Sequence, residues 1–166
     1  MIKFFTYFIQ SIIIYIFFIL GKIMGITLSR KLFSYLFLKI GHNFKSKKLI
    51  ESNLNIYSKN LSEIKRDEII SGMWKNYGKT FIEYIFLNYF KKNNTHMKIE
   101  GADKLENVLE LKKPVIFVSG HFANYELMSM EIVKKNINLA TIYRPLNNYF
   151  LNPFMEYLRR KYVCKN

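Results

Sequence analysis

The chain reads as an α/β protein: an amino-terminal membrane helix, then further helices, then a partial parallel sheet of the βαβ type. Three observations predict this. Residues 4–20 are almost free of polar side chains, apolar residues then recur at helical spacing through Leu87, and two β-branched runs, Val115–Val118 and Leu139–Tyr143, flank a further helical pattern. Strand, helix and strand in that order make a βαβ unit, whose strands lie parallel in one sheet.

At the amino end, Phe4 to Leu20 is interrupted only by Thr6, Gln10 and Ser11, and apolar character continues to Leu28. That approaches the roughly 20 residues needed to cross a bilayer core. Gly21-Lys22-Ile23-Met24 lacks the small-residue site at which a signal peptide is cleaved, so an uncleaved anchor over residues 1–26 is expected. Lys22, Arg30 and Lys31 follow the apolar stretch while Lys3 alone precedes it, which places residues 27–166 on the cytoplasmic side. Thr6 and Gln10, four apart, mark a polar edge that fits a helix lying in the interface equally well.

Leu28 to Phe44 predicts a second helix, with a wide apolar arc and basic flanks suited to lipid or to the first helix. Lys45 to Asn55 reads as a polar connector. A third helical segment runs from Ser62 to Leu87 with a break near Gly72, and Trp74 and its aromatic neighbours sit at core spacing. Lys91 to Thr95 is a loop, Met97 to Glu100 a short strand and Asp103 to Leu111 a short helix. Pro114 and Gly120 bound the run Val115–Val118, expected to be a buried strand. Phe122, Tyr125, Met128 and Ile132, three or four apart, predict the helix after it, and Arg144-Pro145 ends the last strand.

Composition narrows the function classes. Net charge +14 accompanies 50% hydrophobic residues, which excludes a disordered basic tail. In residues 1–60 nine Lys and Arg face Glu51 alone, a distribution suited to an anionic membrane surface. No zinc-finger, RNP-like or glycine-rich phosphate-loop pattern accompanies the charge, so nucleic acid is not an expected partner. His42, His96 and His121 lack metal-ligand spacing, so no metal site and no cofactor are expected. The single Cys164 cannot form an internal disulfide and fits a reducing compartment. The length of 166 residues suffices for one core, but not comfortably for an anchor plus a complete large α/β enzyme.

The chemistry centres on His121 and Glu126. The expected strand delivers His121 into a turn, the following helix carries Glu126 in an early turn, and open α/β sheets bind ligands at such strand ends. The spacing alone fits a general base with its orienting carboxylate and, equally, a capping histidine beside a solvated glutamate. Asn124, between them, is a candidate substrate-binding residue or a plain helix-surface one. Arg144, at the end of the last strand, offers bidentate donors to a phosphate, or is a surface arginine. Arg159, Arg160 and Lys161 form a basic run that suits an acidic lipid or an acidic protein, or a solvated helix face.

Three stretches in order resemble one known family. Met73-Trp74-Lys75-Asn76-Tyr77-Gly78-Lys79-Thr80 with Glu83, then Val118-Ser119-Gly120-His121-Phe122-Ala123-Asn124-Tyr125-Glu126, then Ile142-Tyr143-Arg144-Pro145-Leu146-Asn147-Asn148 resemble the lipid A biosynthesis acyltransferases of the lauroyl/myristoyl type. The resemblance implies transfer of a fatty acyl chain from acyl carrier protein to a hydroxyl of a lipid A precursor, at the cell inner membrane. It implies His121 as base and Glu126 as its partner, and no covalent acyl-enzyme, which leaves Ser119 as a turn or cap residue. The helix amino terminus near Phe122 to Tyr125 is then expected to stabilise the oxyanion. Glu at 126, with no Asn immediately before His121, favours this branch over the glycerophospholipid acyltransferases, which stay as the alternative beside an inactive membrane-associated fragment. Members of the family are substantially longer, so the resemblance implies that residues 27–166 are the amino-terminal part of an acyltransferase domain.

Overall fold

A glycine bends the first helix. In the computed structural model, which describes residues 2–93, 98–111 and 113–164, helix α1 runs Ile2–Ile40 with one non-helical residue, Gly25, at φ 76° and ψ 166°. That region is essentially closed to residues with a Cβ. The break loosens the carbonyls of the turn before it, and the buried Ser29 hydroxyl lies 2.6 Å from the carbonyl of Gly25 and 2.7 Å from that of Gly21. The anchor helix expected over residues 1–26 and the second helix expected over Leu28–Phe44 are thus the two limbs of α1. Among the described residues one helix, continued by a short 3-10 turn to Asn43, is long and apolar enough to cross a membrane.

The chain divides into two compact units, Phe18–Tyr84 and Met1–Phe17 with Ile85–Asn166. The first is built from the rest of α1, α2 (Lys47–Tyr57) and α3 (Glu63–Glu83). Ser46 and Ser62 cap α2 and α3, each accepting a hydrogen bond from a first-turn amide. Phe81 of α3 packs against Phe18, Phe33 and Phe37 of α1, with ring centroids 5.2–5.6 Å apart. The helices meet at Gly78, where an added Cβ would stand 2.1 Å from the carbonyl oxygen of Phe33. Beside that contact, Glu83 is buried against Arg30, with Nε 2.9 Å from Oε1. Ile50, Leu54 and Trp74 form the core under α2.

Two expectations are corrected in this unit. The polar connector over Lys45–Asn55 is mostly helix α2, because Ile50 and Leu54, four apart among Lys and Asn, bury one stripe against Trp74. No break occurs at Gly72, since the partly buried Ile69 and Ile70 before it and Met73 and the buried Trp74 after it join one apolar cluster, and a lone glycine costs only about 1 kcal/mol.

The second unit packs α4 (Leu87–Lys92) against α6 (Glu126–Lys134) and α7 (Asn152–Tyr162). Leu87, Phe90, Met130, Leu158 and Val163 are among its buried side chains. Lys134 of α6 donates from Nζ to the Phe90 carbonyl at 3.0 Å, and Lys91 donates to the carbonyl of Lys161 at 3.3 Å. Helix α5 (Ala102–Glu110), near the expected Asp103–Leu111, buries no residue and is tied to the end of α6 by an ion pair between Glu106 and Lys135 at 2.8 Å.

The expected parallel sheet is not formed. No strand occurs among the described residues, and neither Val115–Val118 nor Leu139–Tyr143 forms a strand ladder with another segment. Ile116 is 90% exposed and Val118 91%, where a buried strand is expected, and Ile142 in the second run is fully exposed. Strand propensity is a fit to a pleated, half-covered surface, and these runs have neither a neighbouring ladder nor a covering layer. The βαβ reading therefore fails with the α/β class: the described chain is helical. Of the short strand over Met97–Glu100, Lys98 to Glu100 are irregular, while Met97, His96 and the end of the loop at Thr95 lie outside the described residues.

Candidate active site

His121 lies on an irregular, exposed stretch that becomes regular only at α6. The amide of Phe122 donates to the carbonyl of Gly120 at 2.9 Å, Ala123 takes a positive φ of 47°, and the amides of Leu127 and Met128 fold back onto the carbonyls of Asn124 and Tyr125. The helix thus begins at Glu126, four residues later than the apolar spacing suggested. The amide of Phe122 is already engaged with the Gly120 carbonyl, which takes it out of the set of donors expected over Phe122–Tyr125.

Burial makes Glu126 the electrostatic centre of the site. Its side chain is 5% exposed, and an ionised carboxylate that deep requires a partner. Arg159, seven residues into α7, supplies it: Nε and Nη2 lie 2.8 and 2.7 Å from Oε1. The same guanidinium donates from Nη2 to the Tyr125 hydroxyl at 3.3 Å and lies 4.9 Å from the Tyr143 ring centroid, a cation–π contact.

A second layer fixes Tyr143. Its hydroxyl donates to Glu156 Oε1 at 2.9 Å, and Asn152 Nδ2 donates to the same oxygen at 2.8 Å. The Glu156 hydrogen bond pushes the Tyr143 phenol up from its ordinary value, and the bonds from Tyr143 and Asn152 hold the Glu156 carboxyl below the usual carboxylate range. Asn152 also accepts from the Leu146 amide at 2.8 Å, so the stretch around Arg144-Pro145 is laced to α7.

The sequence-derived residues are distributed unevenly around this centre. The imidazole of His121 packs on the Tyr125 ring at 4.2 Å between centroids and 45° between planes. His121 therefore joins the Glu126–Arg159 pair through Tyr125. Asn124 is half-buried in the turn between them. Arg144 is exposed and pairs with no acidic side chain among the described residues. Ser119 bonds only locally, to the Gly120 carbonyl at 3.2 Å. Among the described residues no His, Cys, Asp and Glu side chains gather into a set that could hold a metal ion.

Arg159 is the residue whose place sequence reasoning misses, because it sits in the run Arg159-Arg160-Lys161 and resembles a solvated charge. A signal does exist. Asn152, Glu156 and Arg159 recur at i, i+4 and i+7, a polar stripe on one face of α7 that also packs on the core through Leu158. Arg160 and Lys161 do remain exposed.

The pattern of residues also has relatives. A family model described as bacterial lipid A biosynthesis acyltransferase matches residues 2–164. No curated protein and no solved structure matches the chain. The match runs from the first residue of α1 past the last residue of α7 and encloses the whole site, and so the chain belongs to the bacterial lipid A biosynthesis acyltransferases.

Proposed function

We propose that the protein transfers a fatty acyl group from the thioester of acyl carrier protein to a hydroxyl of a lipid A precursor, with His121 as general base and Glu126 as the group that orients it. The single observation behind the roles is the contrast between an accessible imidazole and a buried carboxylate five residues on, both in contact with Tyr125 or its partner Arg159. His121 takes the proton of the acceptor hydroxyl as that oxygen attacks the thioester carbonyl. The C–S bond then breaks, the ester forms, and the proton passes to the departing thiolate. Glu126 offsets the imidazolium charge, and Arg159 fixes the direction of the carboxylate. Arg144, exposed beside the site, and Asn124 bind the acceptor, the arginine through a phosphate. The reaction takes place on the cytoplasmic side of the inner membrane, with α1 as the anchor.

The test is acyl transfer from acyl carrier protein to a lipid A precursor by the detergent-solubilised chain, alongside His121→Ala and Glu126→Ala. A positioned base contributes about 10² to 10⁴-fold, so the first variant should lose that much and the second nearly as much. A second reading, a membrane-associated binding module without turnover, is favoured by the exposure of Ile116, Val118 and Ile142, since acyl transfer needs a site that excludes water. Folded wild-type chain without turnover would support it over the enzyme.

A further inference from the structure

The amino-terminal limb of α1 is apolar on more sides than its protein contacts cover. Phe4, Tyr7, Ser11 and Tyr15 recur at i, i+3, i+7 and i+11 and face the corner that enters α7. Phe4 and Phe8 pack on Phe150 at 5.2 and 5.4 Å between centroids, Tyr7 on Tyr149 at 5.6 Å and Tyr15 on Phe154 at 5.7 Å. Two hydrogen bonds lock the register. Tyr15 donates to the Phe150 carbonyl at 2.9 Å, and Asn148 Nδ2 donates to the Tyr7 carbonyl at 2.9 Å. The contact spans the twelve residues from Phe4 to Tyr15, about 16 Å of helix at 1.5 Å per step.

A second face of the limb has no cover. Phe5, Ile9, Ile12 and Ile16 recur at i, i+4, i+7 and i+11 and are 42–59% exposed. Lys3, Thr6 and Gln10 start a third side, which Ile13 and Phe17 continue with exposed apolar side chains. A helix crossing alone should meet lipid all round, whereas this limb is packed on protein along one side and carries exposed apolar residues on the others. Crossing would also draw the Asn148–Phe154 corner, and with it Glu156 of α7, towards the hydrocarbon core, where an ionised side chain is costly.

We infer that the amino-terminal limb of α1 and the Asn148–Phe154 corner enter one leaflet together as a single membrane-inserted surface, with Tyr149 at headgroup depth. The occupant of the bare face is an anionic phospholipid bilayer. Tyr149 and Tyr157, about half exposed, and the exposed Arg160 and Lys161 border the corner, and an aromatic ring with a polar tip beside lysine and arginine is the chemistry that settles between headgroups and acyl chains. The inference rests on the membrane reading of α1 proposed above and adds a second inserted element close in sequence to the Arg144–Leu146 stretch of the candidate site.

The experiment uses the full chain in vesicles of phosphatidylglycerol and phosphatidylcholine, with a fluorophore on Ile12→Cys, Tyr149→Cys or, as a water control, Lys104→Cys. Native Cys164 is 4% exposed and does not compete for the label. Quenchers placed at several lipid depths should reach the Ile12 and Tyr149 probes at a similar, shallow depth and leave the Lys104 probe to aqueous iodide. Tyr149→Ser should weaken vesicle partition roughly tenfold, the loss of one inserted aromatic. A Tyr149 probe open to iodide while the Ile12 probe sits at bilayer centre overturns the inference and leaves α1 a spanning anchor. Both probes in water would overturn the inference and the anchor together.

Discussion

Two stretches of similar apolar content meet opposite fates in this molecule. In the Phe18–Tyr84 unit, Phe18, Phe33, Ile82 and Trp74 are buried, whereas in the run before His121, Ile116 and Val118 are almost wholly exposed. The difference is not hydrophobicity. A helix satisfies its backbone within itself and needs only a partner for one stripe, while a strand needs a neighbour for its backbone before its side chains can be covered. The helical unit is thus complete from local rules plus one packing partner. The His121 stretch is set by what lies beside it.

The largest effect is expected at Trp74. Trp74→Ala removes the centre of the Ile50–Leu54 core and should cost about 3–5 kcal/mol, read as a lowered urea midpoint in detergent. An unchanged midpoint would mean that the unit is not held by that core. Next comes Arg159→Met, which leaves Glu126 buried without its main charge partner and should cost roughly 3 kcal/mol together with activity. The double variant Arg159→Met with Glu126→Gln should regain most of the stability but not the turnover, and failure to regain it would argue that the pair is not the site's main electrostatic link. Gly78→Ala forces α1 and α3 apart at their closest contact and should cost about 1–3 kcal/mol by the same measurement.

The smaller effects sharpen the other side. Ile116→Ser should shift the midpoint by no more than about 0.5 kcal/mol, because the side chain it removes is already in water. A loss comparable to that of Trp74→Ala would mean that the run is covered in solution. Smallest is a pH effect at Glu156. Its carboxyl sits lower in the folded chain than in the unfolded one, so its hydrogen bonds stabilise the fold above the ordinary carboxylate range, and that contribution is lost as pH falls through the folded value. Glu156→Gln should flatten the acid limb of the stability curve, and an unaltered limb would deny the link between α7 and Tyr143.

Legibility in the sequence followed the same division. Helices α1, α3 and α5 are visible from apolar spacing and turn residues because their determinants are local. Helix α2 was hidden by Lys47, Lys48, Asn53 and Asn55, although Ile50 and Leu54 four residues apart were the trace of its buried stripe. The strands were over-read, since β-branched content reports a preference and not the presence of a ladder. At the site, the five-residue interval from His121 to Glu126 is plain in the sequence. The capture of that glutamate by Arg159 is not, because 33 residues separate them and only the packing of α6 and α7 on α4 brings them together.

The bend at Gly25 carries one more consequence, which concerns mirror symmetry. A Cβ added there meets nothing within 4 Å, so the position does not ask for smallness. It asks for a backbone whose φ of 76° an L-residue resists and a D-residue reaches more easily, because the mirror image borders the extended region of an L-residue. A semisynthetic chain with D-alanine at position 25 should therefore keep the bend and narrow the unfolded ensemble, while L-alanine at the same atom count should straighten or strain it.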